Sequence, residues 1–244
     1  MGAVFLGPRI GKYGPDGKPR AIPGHNVGFA VVGVFVLWFG WFGFNAGSEL
    51  AMDNWVAHCI MTTLLAGSAG VVGAGAAIWR KTGAMDVGMA GNGALAGLVS
   101  ITAGTGTMSF PGAVAVGFIG GVIVVYSVLF IERKGIDDPV GAVSVHGVCG
   151  AWGTLAIGLF ARYDDAFLGR EDAGLFYGGG FDQLLVQAIG VVVVAVWVLG
   201  TSAILFKVLK STVGLRVSVE EELAGLDVAE HGSPGYGPEP VLVG

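Results

Sequence analysis

Charge is scarce in this chain, and its scarcity is patterned. Asp, Glu, Lys and Arg make up 13% of the 244 residues, about half their share in an ordinary soluble domain. None falls within 54–79, 87–131, 139–161 or 183–206. Cysteine is scarcer still. Cys59 and Cys149 each stand inside such a stretch without a CxxC partner, which argues against a disulfide scaffold or a metal site and leaves them as small packing residues. A formal net charge of −5 carries no basic surplus, so no nucleic-acid partner is expected. No positively charged region precedes the first apolar residues, so no cleaved signal is expected either.

What is abundant points to lipid. With 53% hydrophobic residues and a mean hydropathy of +0.73, the apolar surface exceeds what one soluble domain of this length hides. A bilayer core takes about 20 helical residues, so the run 87–131 must be two spans, broken by Gly104-Thr105-Gly106 through Pro111. Six helices follow, near 27–48, 54–79, 87–103, 111–131, 139–161 and 183–206, the third at the short limit. The chain divides into 1–26 (the end of a helix and a loop), a transmembrane region 27–210, a C-terminal helix in 211–232 and a flexible tail 233–244.

Lys and Arg near span ends favour the cytoplasm. Arg9, Lys12, Lys18, Arg20, Arg80, Lys81, Arg133, Lys134, Lys207, Lys210 and Arg216 fall on one face, and only Arg162 and Arg170 on the other. Both ends of the chain should therefore be cytoplasmic. Forty-five glycines let helix backbones approach closely in lipid. The spacings Ala113xxxGly117xxxGly121 and Gly93xxxGly97, and the ladder Gly147, Gly150, Gly153, predict smooth contact faces. The glycines of 91–97 are no dinucleotide loop, because no strand precedes them.

Polar residues inside spans are costly and are functional candidates. His146, near the centre of its helix, is the sharpest: it is either a ring bonded to a neighbouring helix or an imidazole lining a pore. His58 lies close to the outer end of its span and reads as interfacial; a membrane oxidoreductase with His58 and His146 as haem ligands is a weak reading, because the two stand at different depths in separate helices. Asp137-Asp138-Pro139 marks a helix start, the acids explained by capping. Glu49 and Asp53 rim the opposite mouth, beside Ser48. Five aromatics crowd positions 38–44, a density suited to a cation-attracting vestibule.

The strings GlyTrpPheGlyPheAsnAlaGlySer at 40–48 and SerValHisGlyValCysGlyAlaTrpGlyThr at 144–154, with GlyLeuArgVal at 214–217 and GlyLeuAsp at 225–227, carry a resemblance. Pro23-Gly24-His25-Asn26 and the loop from Gly174 to Gly180 add to it. The chain resembles the ammonium transporter family (Amt/Mep/Rh) over nearly all of residues 1 to 232. That family has eleven spans built from two inverted repeats plus a last helix. This chain looks like the end of the fifth span, then the sixth to eleventh, then the tail: an all-α polytopic membrane protein holding the second repeat.

The resemblance implies that Trp41 and Ser48 belong to an outer ammonium recruitment site, Phe44 to the aromatic gate below it, and His146 to the paired pore histidines. It implies transport of ammonium or ammonia across the cell membrane, not enzymatic chemistry, with no cofactor, in a homotrimer whose tail couples to a PII-type regulator. The partner histidine, the buried aspartate, the outer gate phenylalanine and the second vestibule tryptophan belong to the family's first half. One repeat gives one wall of a pore, so the chain alone is not expected to conduct. Met1 to Leu6 resemble the tail of a helix, which points to an internal start; a split transporter completed by another chain, or a degenerate remnant, would also give half the family's length. A non-conducting scaffold or sensor that binds a PII-type protein is the alternative function. Ser144 stands where many members have glycine, and Gly141 where some carry an acid. In the tail, Ser218 with Glu221 forms a capping-box pattern and Gly225 a stop.

Overall fold

The computed structural model describes residues 1–162 and 172–236. Within them the chain is helical: α1 (Gly2–Leu6), α2 (Val27–Gly47), α3 (Asn54–Thr82), α4 (Val87–Thr102), α5 (Phe110–Arg133), α6 (Cys149–Phe160), α7 (Asp182–Thr212), α8 (Val219–Ala224) and α9 (Leu226–His231). A π-helical turn, Val143–Val148, leads into α6. Five segments are long and apolar enough to cross a membrane, taking the π turn and α6 as one; α4, at 16 residues, is the short sixth. Arg170 and the tail residues 237–244 lie outside the described residues.

Capping side chains start the first four spans. Asn26 accepts from Phe29 N at 2.9 Å, Asp53 from Trp55 N at 2.8 Å, Asp86 from Met89 N at 2.6 Å and Ser109 from Gly112 N at 3.2 Å. Each satisfies an N–H that the helix itself leaves orphaned. α3 stops at Gly83, whose φ of +77° suits glycine, with Arg80 and Lys81 in the last turn against the negative end of the helix dipole.

α3 is the hub, because its backbone is bare where its neighbours cross. A Cβ on Gly97 of α4 or Gly117 of α5 would strike the Ala66 carbonyl oxygen; one on Gly93 or Gly121 would strike that of Gly70. The two predicted spacings therefore pack on the same two turns of α3, where close approach supplies the dispersion contacts that hold helices together in lipid. The third ladder meets backbone closely only at Gly153, which abuts Ser100 of α4; beside Gly147 nothing comes nearer than 3.8 Å, and Gly150 meets the Val99 side chain of α4 at that ordinary contact distance.

Between α4 and α5 the chain turns without helix at 103–108. The carbonyls of Thr105, Thr107 and Met108 are satisfied internally, as backbone at membrane depth must be. Thr62 Oγ1 donates to Thr105 O at 2.9 Å, Arg162 N to Thr107 O at 3.0 Å, and the His58 Nε2 sits 3.0 Å from Met108 O. His58, stacked on Phe110 at 5.1 Å, is thus part of this turn. α2 and α7 bury none of their most apolar windows and present those faces outward.

The helix expected from 139 begins later. Residues 139–141 form a turn in which Gly141 has a φ of +74°. The two acids there divide their work. Asp138 caps, accepting from Ala142 N at 3.0 Å and Val143 N at 2.7 Å. Asp137 does not cap; it is the buried counter-ion of Arg9.

Candidate permeation site

α2, α4, the π turn and α6 enclose a groove of about 580 Å³. α2 supplies Trp41 and Phe44, α4 supplies Val99 and Thr102, the π turn supplies His146 and α6 supplies Thr154. The Trp41 ring is fixed by its Nε1–H, which donates to Thr102 Oγ1 at 2.8 Å, while that hydroxyl donates to Leu98 O at 2.7 Å. Phe44 stands edge-on to Trp41, with centroids 6.2 Å apart at 85°, and is 60% exposed. The two rings present a face on which a cation is attracted.

Three of the four sequence-expected site residues, Trp41, Phe44 and His146, therefore meet in one concavity. Ser48 does not line it. It lies one turn beyond Phe44, and its Oγ donates to Phe44 O at 2.6 Å, a bond that uses the hydroxyl proton and leaves the lone pairs to accept. Behind the rings, Asn45 is buried and donates from Nδ2 to Thr63 Oγ1 at 2.9 Å, locking the rotation of α2 against α3. Among the described residues that line it, His146 is the only titratable side chain. Among the described residues, no three His, Cys, Asp or Glu side chains are grouped to hold a metal ion.

Charge is kept to the ends. At the basic end Arg9 grips Asp137 with Nε at 2.8 Å and Nη2 at 2.9 Å, and Lys12 Nζ lies 2.6 Å from Glu132 Oε1. The hydrogen bond from Arg9 holds the Asp137 carboxyl below the usual carboxylate range. The same segment reaches the tail, where Ile10 N donates to Glu222 Oε1 at 2.9 Å and Arg216 forks onto Glu222. Both bonds hold that carboxyl low, the backbone one more strongly.

The π turn, the Thr102 partner of Trp41 and the Arg9–Asp137 pair were not expected from the sequence. Only the last left a signal there, as two adjacent acids where one suffices to cap a helix.

A bundle of membrane-crossing helices with an apolar groove, an aromatic pair at one end and a single histidine inside defines a polytopic membrane protein of transporter type. The sequence profile of the Ammonium Transporter Family matches residues 1–236, and the chain belongs to that family, one of transporters rather than enzymes. It is 49% identical over 238 residues to ammonium transporter Amt2 of Archaeoglobus fulgidus, covering 96% of this chain and 50% of that protein. It is 40% identical to Amt2 of Methanocaldococcus jannaschii over 99% of this chain and 54% of that one. Among solved structures, one described as "Sensor Amt Protein" superposes with a TM-score of 0.86 at 41% identity, covering 94% of this chain and 55% of that one. Candida albicans Mep2 gives 0.77 at 29%, covering 90% and 49%. The chain thus spans about half the length of the relatives it matches, and its six spans correspond to the second repeat and last helix of their eleven-span fold.

Proposed function

We propose that this chain forms the C-terminal portion of an ammonium transporter, recruiting ammonium at Trp41, Phe44 and Ser48 and passing ammonia along the wall that carries His146. The observation that carries the reading is convergence: Trp41 and Phe44 reach the same groove as His146, about a hundred residues away in sequence. The chemistry is coherent. Ring faces and an accepting hydroxyl favour a cation that donates hydrogen bonds, whereas the apolar lining beyond rejects any ion unable to shed its charge. The lost proton needs an acceptor, and the imidazole is the one titratable group placed there. The groove is open on one side, so a second wall from the other half of the fold completes the pore. Both ends of this chain are read as cytoplasmic from the eleven-to-two split of basic residues, and the assembly as a homotrimer whose tail meets a PII-type protein.

The test is methylammonium uptake by cells lacking their own ammonium transporters, with the chain expressed alone and joined to the first half of the Archaeoglobus fulgidus relative. Uptake is expected only from the joined protein. Trp41→Leu should raise its apparent KM roughly tenfold, within the span of a well-placed cation–π contact. Equal uptake with and without Trp41 overturns the recruitment site. A non-conducting sensor is the second reading, favoured by the similar structure described as a sensor and by a tail tied to the body through Glu222. Ammonium binding and PII capture without uptake by the joined protein would establish it.

A further inference from the structure

The π turn bearing His146 is fastened to α5 at both ends. At its start the fully buried Ser144 accepts from Ser127 Oγ at 2.9 Å, and directly after it the fully buried Cys149 donates from Sγ to Gly120 O at 3.5 Å. The two fastened residues are five apart and face the same helix. A π turn, hydrogen-bonded from i to i+5, brings residues five apart to roughly one face, whereas an α-helix aligns residues three or four apart and would turn Ser144 and Cys149 about 140° from each other. In α register, the residue sharing the face of Cys149 from three positions before it is His146, which would then turn toward α5. In the observed register, His146, Gly147 and Val148 are all exposed, and His146 enters the groove. The Asp138 carboxylate and the positive φ of Gly141 set where the turn begins but leave its register open.

We propose that Ser127 and Ser144 are positioning residues for His146: their hydroxyl bond holds the π register that points the imidazole into the groove. Only the consequence for transport rests on the pore reading of His146. The geometric claim is tested on the full chain in lipid nanodiscs, labelled with ¹⁵N at its four histidines and assigned by His146→Gln. A second readout is maleimide labelling of Cys149 in a Cys59→Ala background.

In Ser127→Ala, the His146 ring signals should move by more than a linewidth while those of His58 stay, and Cys149 should label severalfold faster as it leaves α5. Ser127→Thr, which keeps the hydroxyl, should restore both parent values. Ser144→Ala removes the acceptor with little change of volume and should repeat the Ser127→Ala result, which keeps the test decisive if one variant folds poorly. His146 signals that superpose on the parent's in both alanine variants, with Cys149 still protected, overturn the proposal. Displaced His146 signals together with unchanged uptake by the joined transporter support the positioning claim and remove His146 from the transport path instead.

Discussion

Removing the Asp137 carboxylate tests what ties the basic end together. The Asp137 side chain is 2% exposed and receives three bonds from Arg9, from its backbone N at 2.9 Å, Nε at 2.8 Å and Nη2 at 2.9 Å. Each such charge-assisted bond is worth about 1.5–3 kcal/mol when buried. The Arg9 side chain is 37% exposed, however, so water recovers much of its loss, and Asn keeps one accepting oxygen. Asp137→Asn should therefore cost about 2 kcal/mol of local stability, or roughly 30-fold in amide protection of the segment 8–13. Acid should act the same way on the parent. A carboxyl held below its unfolded value near 3.9 contributes fully above about pH 5, and that contribution fades as the pH falls through the lowered folded value. Hydrogen exchange corrected for intrinsic rates, at pH 7 and at about pH 2, below the lowered folded value, reads both effects. The parent should loosen on acidification, and Asp137→Asn should be loose at pH 7 and change little, with the remainder owed to Glu222. Parent-like protection of residues 8–13 in Asp137→Asn at pH 7 would refute the reasoning.

Three further outcomes follow from the packing and the caps. Gly117→Val, which drives a side chain into the Ala66 carbonyl, should destabilise the bundle by about 1–3 kcal/mol in reversible detergent unfolding, whereas Gly43→Ala, with nothing within 4 Å, should not. Ser218→Ala removes the capping box of α8, in which Ser218 Oγ accepts from Glu221 N at 3.2 Å and Glu221 returns a bond at 2.9 Å; amides of Val219–Ala224 should exchange about fivefold faster, the weight of one cap. Glu222→Gln should raise exchange at Ile10, because the donor at that amide loses a charged acceptor, and an unchanged Ile10 would separate the tail from the loop.

The spans were legible because lipid imposes a single rule on composition: uncharged stretches and a glycine-marked break located all six within a few residues. The close contacts at Gly93, Gly97, Gly117 and Gly121 were legible for the same reason, since small residues four apart have few other uses in a helix. The delayed start of the fifth span was not. The positive φ of Gly141 and the Asp138 cap set that start, and the π turn that follows meets α5 through Ser144 and Cys149; a partner on another helix leaves no periodic trace. Asp137 misleads on similar grounds. Beside a helix start an acid reads as a cap, and only the fold brings Arg9, 128 positions away, to claim it.

Most in-span polar groups prove to be occupied, which narrows what the groove does. Ser100 donates to Ala96 O, Thr63 to Cys59 O, Thr154 to Gly150 O and Thr201 to Trp197 O. Each hydroxyl thus satisfies its own proton along its own helix, where lipid offers no other partner. The rule that intramembrane polarity signals function therefore selects too many residues until these bonds are subtracted. In the groove the subtraction removes the Trp41 N–H and the proton of Thr102, both spent on fixing a ring. It also removes the Thr154 proton. What is left to act on a guest is two ring faces, one imidazole, the lone pairs of Thr154 and, one turn outside, those of Ser48. Under the proposed function that remainder matches a small cation drawn by rings that gives up its proton to go further, and it matches potassium poorly, because potassium has no proton to give.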